Sequence, residues 1–386
     1  MKRKLRMGMI GGGKDAFIGS IHRIAANMDG LVELVCGSLS INKEIAVDSG
    51  RSLFLPEDRI YTTYQEMIEK ESKLPEGERM DFVTIVTPNF AHYPPAIMAL
   101  DHGFHVVIEK PITVSLEEAQ SLKQKLDETG LILCLTHTYT GFPMVKQAKD
   151  MIANGALGKI RKVYVDYKQG WLSRLSEREA GNAGAAWRTD PKKSGKSGVM
   201  GDIGTHAFNL AEYITGLQVT QLCADLNIVV EGRLLDDDGG VLLKFDNGAT
   251  GVLTASQIAA GEENNLSIRV YGELGGIEWF QQEPNTLIVR WLDKPMEVLR
   301  AGTPFVGNLA KQNQRTPGGH PEGYLEAFGN IYRNFAHTLS ARINNTTVDS
   351  SLVEFPSITE GIRGMAFIEN VVKSNETNEK WTSYVI

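Results

Sequence analysis

Cysteine is scarce in this sequence: only Cys36, Cys134 and Cys223 occur among 386 residues. The three lie in apolar or strand-like stretches and share no spacing typical of a metal site. We therefore expect buried, reduced thiols rather than disulfides or metal ligands. This cysteine usage is typical of a reducing compartment, and it predicts a cytoplasmic protein.

Long apolar runs are also missing. No stretch reaches transmembrane length, and the basic start at residues 2–6 leads into Gly11 to Gly13 rather than into the apolar core of a signal peptide. A net charge of −7 argues against the broad basic surface that nucleic acid requires. We expect neither a membrane nor nucleic acid as a partner.

The length favours two domains of ordinary globular composition. Residues 1–135 alternate apolar β-type runs with helical segments, which is typical of a parallel sheet covered on both faces. After residue 136 long β-runs follow a single helix. We predict an α/β Rossmann domain over 1–135, and over 136–386 an α+β domain for substrate binding and oligomerisation, with a large, mostly antiparallel open sheet. Such a sheet, with apolar residues on its outer face, favours a homo-oligomer, a dimer or a tetramer.

Periodicity predicts individual elements of both domains. In the first helix Ile18, Ile21, Ala25 and Met28 recur at helical spacing and predict its buried face. The predicted strands are 7–10, 31–36, 82–86, 106–108, 131–135, 160–167, 241–245, 249–254, 267–271, 276–280 and 286–291, with late helices over 143–153, 323–339 and 359–372. Residues 246–248, Asp-Asn-Gly, predict a tight hairpin turn.

Gly11-Gly12-Gly13 follows the first predicted strand and precedes the first helix. Glycines at this point let the backbone approach a pyrophosphate, and a helix N-terminus offers free N–H donors. The spacing is irregular, because five residues separate Gly13 from Gly19 where the usual fingerprint has two. The alternative is a plain tight turn. We predict dinucleotide binding, with contacts from Gly11, Gly13, Phe17 and Ile18.

The second strand ends without the carboxylate that often binds the adenosine ribose, since residues 37–40 read Gly-Ser-Leu-Ser. Ser38 can bind a ribose hydroxyl or a 2′-phosphate, or it can be a solvated loop serine. No arginine follows to form a phosphate clamp. NAD is the predicted cofactor, with NADP left open.

Further motifs resemble the glucose-fructose oxidoreductase and inositol dehydrogenase (Gfo/Idh/MocA) family over nearly the whole chain. The motifs are Thr87-Pro88-Asn89 with His92, Glu109-Lys110-Pro111 and Gly201-Asp202-Ile203-Gly204-Thr205-His206. Trp187-Arg188, residues 195–206 and residues 320–324 most resemble levoglucosan dehydrogenase-like enzymes, which oxidise a glycoside at its C3 hydroxyl. The resemblance implies further cofactor-binding residues, namely Thr87, Asn89, His92, Glu109, Lys110, Trp187 and Arg188.

The residues themselves indicate an acid–base pair. Asp202 and His206 stand at i and i+4, on one face of a helix that runs toward Gly216. At this spacing a carboxylate can lie beside an imidazole and tune its strength as a base, and the imidazole can then accept a hydroxyl proton. The alternative is a helix N-cap and a satisfied core histidine. His92, Asp202 and His206 are also types that bind zinc or iron. The resemblance implies no metal.

Lys110 follows an apolar strand at the carboxyl edge, where open α/β sheets bind their ligands. Its ammonium can favour the alkoxide that develops as hydride leaves, and the resemblance assigns it that role. A solvated lysine in a turn is the alternative.

Substrate contacts are predicted in the second domain. The alternating run over 163–169 ends in Gln169, and Trp171 offers a flat platform for a sugar ring. Tyr139 and His320 complete this candidate set, to which Lys110, Asp202 and His206 also belong. Packing or loop roles are the alternative for the first four residues.

The sequence thus predicts an NAD(P)-dependent oxidoreductase that removes hydride from a secondary hydroxyl of a sugar, glycoside or anhydrosugar. Two enzymatic alternatives are an inositol or other polyol dehydrogenase, and glycoside cleavage through transient oxidation by bound NAD. A third alternative is a dinucleotide-sensing protein without turnover. The joint presence of Lys110, Asp202 and His206 argues against that last one.

Overall fold

The computed structural model describes residues 3–14, 16–179, 183–349 and 353–386. It divides into two compact units. The first unit comprises Met1–Thr113, Glu117–Thr138 and Phe328–Gly361, and the second unit comprises Val114–Leu116, Tyr139–Ala327 and Ile362–Ile386. The sequence suggested one boundary near residue 135, whereas the structure also returns residues 328–361 to the first unit.

The described strands are β1 (Leu5–Gly11), β2 (Val32–Ser38), β3 (Phe82–Val86), β4 (His105–Ile108), β5 (Leu133–Leu135), β6 (Lys162–Lys168), β7 (Val219–Asn227), β8 (Asp238–Phe245), β9 (Thr250–Ser256), β10 (Asn265–Tyr271), β11 (Gly275–Phe280), β12 (Thr286–Trp291), β13 (Glu297–Arg300) and β14 (Thr382–Ser383). The described α-helices are α1 (Phe17–Asn27), α2 (Lys43–Ser52), α3 (Tyr64–Glu71), α4 (Tyr93–Asp101), α5 (Leu116–Thr129), α6 (Pro143–Ala153), α7 (Ala183–Arg188), α8 (Pro191–Ser194), α9 (Thr205–Thr215), α10 (Asn308–Gln312), α11 (Tyr324–Ile343) and α12 (Ile358–Glu376). A π-helical turn, Met200–Gly204, leads directly into α9.

The first unit contains the predicted parallel sheet, in the order β2-β1-β3-β4-β5. Its central strands are buried throughout: all five residues of β3 and all four of β4 are buried. Strands covered on both faces read as continuous apolar runs, which is why the sequence located them correctly. The Rossmann-type architecture is confirmed.

The buried face of α1 differs from the prediction. Its buried residues are Gly19, His22, Ala25 and Ala26, whereas Ile18, Ile21 and Met28 are only half-buried. The cause is backbone contact: a Cβ on Gly19 would lie 2.2 Å from the carbonyl oxygen of Gly12. The helix therefore docks on its smallest residue rather than on its largest apolar ones.

The second unit contains a nine-stranded sheet in the order β13-β12-β11-β10-β6-β9-β8-β7-β14. Only the β6–β9 pair is parallel among these described strands. The mostly antiparallel open sheet was predicted, but β7, β13 and β14 were missed. The hairpin between β8 and β9 is confirmed, with Gly248 at a φ of +88° and its N–H donated to the carbonyl of Phe245 at 3.0 Å.

Helices α6 and α9 pack on the inner face of this sheet. On β6 that face carries Val163, Val165 and Tyr167, which are buried, while the residues between them are more exposed. Among the described residues, no helix is both long and apolar enough to cross a membrane.

Candidate functional site

The glycine loop at the end of β1 presents bare backbone. Gly11 and Gly12 have φ angles of +79° and +71°, which side chains disfavour. A Cβ on Gly13 would lie 2.7 Å from the carbonyl oxygen of Leu39, and one on Gly12 would lie 2.9 Å from the α-carbon of Gly19. The loop is therefore held tightly to the end of β2 and to α1, and no side chain at these glycines stands between a ligand and the main chain.

The N-terminus of α1 is suited to an anion. Its N-cap residue, Ala16, has no side chain able to accept from the first N–H groups, and the first turn carries no acidic residue. Unsatisfied N–H groups and the helix dipole together favour a diphosphate at such an end. Phe17 is 76% exposed and Ile18 is half-buried. These features fit a dinucleotide cofactor held by the glycine loop and α1.

Ser38 is the last residue of β2, and its side chain is buried. The adjoining loop is fixed to the glycine loop, because the N–H of Gly13 donates to Leu39 at 3.0 Å. Sequence reasoning missed Lys14, whose ammonium lies 3.0 Å from the carboxylate of Asp48 on α2. A lysine beside the end of β2 is a group that can meet a 2′-phosphate, and Asp48 opposes that role.

The loops after β3 and β4 are joined by His92. Its two ring nitrogens each lie 2.8 Å from a main-chain carbonyl oxygen, one of Thr87 and one of Pro111. The ring is fully buried, and this burial lowers the pKa of His92. Asn89 is buried in the same loop. His92 therefore lies against both loops and can donate to one of the two carbonyls, and its predicted contact with the cofactor remains a prediction.

Lys110 lies just beyond the carboxyl end of β4, beside Glu109. The Glu109 carboxylate accepts hydrogen bonds from His22, Thr136 and the main-chain N–H of Lys110. Burial opposes ionisation of Glu109, but the bonds from His22 and Thr136 and the charge of Lys110 outweigh it and lower the pKa of this carboxyl. Burial, reinforced by the charge of Lys110, lowers the pKa of His137 to about 3.

In the second unit, Asp202 lies in the π-helical turn and His206 in the first turn of α9. The sequence predicted a single regular helix through both. Asp236 fixes the start of this segment, because its carboxylate accepts from the hydroxyl of Ser197 at 2.7 Å and from the N–H of Gly198 at 2.8 Å. Burial raises the pKa of Asp236 despite these bonds.

Asp202 has two partners that the sequence did not reveal. Its Oδ2 accepts a hydrogen bond from Gln257 Nε2 at 2.8 Å and lies 3.3 Å from Arg188 Nε. The Arg188 guanidinium also lies 4.3 Å from the ring centre of Trp187 and 5.9 Å from that of Trp171. Arg188, predicted to bind the cofactor, is therefore part of a cluster with Asp202 within the second unit.

An aromatic and amide network surrounds His206. The ring of Tyr139 meets the His206 ring edge-on at 4.9 Å between centres, and Tyr167 lies at 6.3 Å. The two hydroxyls bond to each other, and both bond to Asn264, at 3.1 Å from Tyr139 and 2.7 Å from Tyr167. Burial raises the pKa of both tyrosines, although the bonds to Tyr167 and Asn264 oppose it at Tyr139. Both hydroxyls therefore stay protonated.

The network extends to two further predicted residues. Gln169 Nε2 donates to Asn264 Oδ1 at 2.7 Å, and Trp171 Nε1 donates to Gln169 Oε1 at 2.9 Å. Trp171 is 40% exposed. The structure thus connects Tyr139, Gln169 and Trp171 through Asn264, which sequence reasoning missed because a lone asparagine carries no motif.

His320 lies in an exposed loop of the second unit, with Nδ1 3.3 Å from the carbonyl oxygen of Pro317. None of the hydrogen bonds described above connects it to the network around His206. Its predicted substrate contact stays a prediction. Within the described parts of the chain, no group of three or more histidine, cysteine, aspartate or glutamate side chains is arranged to hold a metal ion.

Two family models match successive parts of the chain. Residues 5–137 match an oxidoreductase family with an NAD-binding Rossmann fold, and residues 145–278 match the GFO/IDH/MocA C-terminal domain. The two matches correspond to the parallel sheet and to most of the nine-stranded sheet.

Individual relatives are similar over long stretches. An oxidoreductase structure from Sinorhizobium meliloti is 42% identical, with 98% of this chain and 99% of that chain covered and a TM-score of 0.89. An inositol dehydrogenase homologue from Azotobacter vinelandii, solved with NADH and myo-inositol, is 32% identical, with 99% and 98% covered and a TM-score of 0.91. Levoglucosan dehydrogenase of Pseudarthrobacter phenanthrenivorans is 26% identical over 298 residues, which cover 71% of this chain and 73% of that protein.

The end of β2 generates a prediction on cofactor choice. The variant Ser38→Asp should lower kcat/KM with NADP by about tenfold or more relative to NAD, because a carboxylate accepts from the ribose hydroxyls and repels a 2′-phosphate. The measurement is kcat/KM with each cofactor. Gln120→Glu on the exposed face of α5 adds the same charge elsewhere and should leave the ratio unchanged. An unchanged ratio in Ser38→Asp contradicts the placement of Ser38 at the adenosine ribose.

Proposed function

The chain belongs to the GFO/IDH/MocA family of oxidoreductases with an NAD-binding Rossmann fold, and on this premise we propose that it oxidises a secondary hydroxyl of a neutral sugar or polyol. NAD, when bound, supplies the hydride acceptor. The observation that carries the proposal is the network of tyrosine, amide and tryptophan groups around His206. Such groups suit a ring with several hydroxyls, since they offer donors, acceptors and a flat apolar face.

The proposed roles follow from the chemistry of each residue. Lys110 holds the reacting hydroxyl oxygen and stabilises its developing negative charge. His206 accepts the hydroxyl proton as the carbinol carbon loses its hydride to NAD and becomes a carbonyl. Asp202, held by Gln257 and Arg188, lies in the turn that leads into α9, the helix that carries His206. A fixed carboxylate stabilises the imidazolium that results from proton transfer.

A neutral substrate is favoured by how the charged groups are paired. Arg188 lies 3.3 Å from Asp202, and the Lys110 charge acts on Glu109. Because each cation already has an acidic neighbour, neither has its charge left uncompensated for a phosphate or carboxylate on the substrate. The inositol dehydrogenase homologue and levoglucosan dehydrogenase, named above, point to the same neutral polyols and anhydrosugars.

The proposal is tested first by a substrate screen. Monosaccharides, glycosides, anhydrosugars and inositols are offered with NAD, and NADH is followed by absorbance. We expect net NADH from at least one neutral polyol.

Lys110→Ala should lower kcat by about 10²- to 10³-fold, because it removes the positive charge that stabilises the developing alkoxide. Lys123→Ala on the exposed face of α5 is the control and should keep full activity. Product without net NADH would indicate glycoside cleavage through transient oxidation, and full turnover in Lys110→Ala would remove that residue from the mechanism.

A double-mutant cycle tests the acid–base pair. Oxidation should fall toward acid pH, where His206 is protonated, and His206→Asn should abolish that limb along with most of the rate. Asp202→Asn should move the limb to lower pH, because a neutral amide no longer stabilises the imidazolium, and it should also reduce kcat. The double variant should be scarcely worse than His206→Asn alone. Additive losses, or a pH profile unchanged by both, would show that the proton leaves by another route.

We also propose that copies of the chain associate through the outer face of the nine-stranded sheet. Tyr164 pairs with Val252, and Val252 pairs with Leu242, so the three form one row across neighbouring strands. Tyr164 and Leu242 are 41% and 44% exposed, which is unusual for apolar groups at the centre of a sheet. L242R should reduce the mass in sedimentation equilibrium to that of a single chain. An unaltered oligomer, or a wild-type monomer, would rule out this interface.

A cytoplasmic location is proposed on the state of the cysteines. All three are free, and Cys36 and Cys134 are buried. Burial raises the pKa of both buried thiols, which makes them inert rather than reactive. Cell fractionation is the direct check, and recovery of the protein outside the cytoplasm would overturn the proposal.

A further inference from the structure

His22 is a buried histidine that the proposed mechanism does not use. It lies on α1 with its side chain fully buried, and its ring packs edge-on against Phe328 at 4.7 Å and against Tyr332 at 5.8 Å between centres. Both ring nitrogens have partners within the first unit: Nδ1 lies 2.6 Å from the Tyr332 hydroxyl and Nε2 lies 3.0 Å from Glu109 Oε1. Both polar atoms of this buried ring are therefore satisfied within the protein.

We infer that His22, with Tyr332 behind it, is a positioning residue for Lys110 that acts through the Glu109 carboxylate. The inference rests on the proposed role of Lys110. It extends that role to residues on α1 and α11, neither of which carries a predicted catalytic group.

The direction of the hydrogen bonds follows from the charge of Glu109. Because its pKa is lowered, Glu109 is a carboxylate and can only accept, so His22 donates through Nε2. The Tyr332 hydroxyl lies 2.6 Å from His22 Nδ1 and 3.2 Å from Thr84 Oγ1. Hydrogen bonds thus connect Thr84, Tyr332, His22 and Glu109 in one continuous chain.

The two oxygens of Glu109 have different tasks. Oε1 is held by His22 from α1 and by Thr136 from the end of β5, whereas Oε2 accepts the main-chain N–H of Lys110 at 3.2 Å. Two side chains from separate elements therefore fix the carboxylate, and the carboxylate fixes the main chain at Lys110. Positioned groups of this kind preserve reactive geometry without touching the substrate.

Loss of His22 has a specific expected consequence. Glu109 and Lys110 are adjacent and oppositely charged, and their attraction already contributes to the lowered pKa of Glu109. A Glu109 carboxylate released from His22 is no longer held in one position beside Lys110. The Lys110 ammonium would then lose its fixed position for the substrate oxygen, and turnover would fall although Lys110 itself is still present.

The test compares two buried histidines of the same unit. His22→Leu keeps an apolar side chain of similar size without hydrogen bonds, and His22→Gln retains an N–H donor for Glu109. His105→Leu is the matched control, because His105 is buried at the opposite end of β4 and its Nδ1 accepts from the N–H of Ile132 at 2.9 Å. Tyr332→Phe, which removes a single oxygen, serves as a second variant should His22→Leu fail to fold.

We expect His22→Leu to lower kcat by tenfold or more while the Kd for NADH, measured by fluorescence, changes less than threefold. His22→Gln should recover a large part of kcat, and Tyr332→Phe should show a smaller loss than His22→Leu. The deuterium isotope effect on kcat, with substrate labelled at the carbinol carbon, should rise, since slower chemistry exposes the hydride step. His105→Leu should keep kcat within twofold even where its melting temperature falls.

A second readout requires no turnover. The rate at which trinitrobenzenesulfonate labels Lys110 in the cofactor-free protein, followed by peptide mass spectrometry, should change severalfold in His22→Leu, because the Glu109 carboxylate beside this ammonium is no longer held in place. Unchanged kcat and labelling in His22→Leu, or an equal loss of kcat in His105→Leu, would overturn the inference. If Lys110→Ala is inactive in that case, the proposed function stands and only the inference fails. If Lys110→Ala retains full turnover, the proposed role of Lys110 fails, and the inference fails with it.

Discussion

The contact between Gly12 and Gly19 determines how α1 packs against the glycine loop at the end of β1. Because a Cβ on Gly19 would lie only 2.2 Å from the Gly12 carbonyl oxygen, α1 can approach the end of β1 only with glycine at that point. His22 follows one turn later on the same face and is carried into the interior. From there it reaches Glu109, and Glu109 holds the main chain of Lys110. One backbone contact thus orients the helix end that suits a diphosphate and supports the lysine proposed to act on the substrate.

The same contact explains where prediction of the fold failed. The parallel strands were found because burial on both faces makes them continuous apolar runs, as in β3. The buried face of α1 was predicted wrongly because apolar periodicity gives most weight to large side chains such as Ile18 and Ile21. A contact made through glycine leaves no hydrophobic signal. Strand β7 was missed for a related reason, since only two of its nine residues are buried and the others include polar residues such as Gln221 and Asp225.

In the candidate site, likewise, some residues could be predicted from the sequence around them, whereas others are brought in only by the pairing of distant strands. Gln169 and Trp171 were predicted from local pattern and Tyr139 as a further candidate, and the structure joins the three into one network. The joining residue, Asn264, lies 95 positions after Gln169 and 125 after Tyr139, and it directly precedes β10, which pairs with β6. Gln257 is a similar case, since it follows β9 directly and donates to Asp202. Neutral amides carry no motif, so only the sheet order reveals them.

The pairing of charges indicates how the proposed site discriminates among substrates. In the first unit Lys110 stands beside the ionised Glu109, and in the second unit Arg188 stands beside Asp202. The network around His206 consists of hydroxyl, amide and indole groups that carry no charge. A sugar phosphate would have to compete with a carboxylate for either cation and would gain little from the neutral groups. A polyol has no charged group to remove from water. It exchanges each hydrogen bond with water for one with a tyrosine, an asparagine or a glutamine. In the proposed function, charges paired within the protein thus favour neutral rings over charged ones.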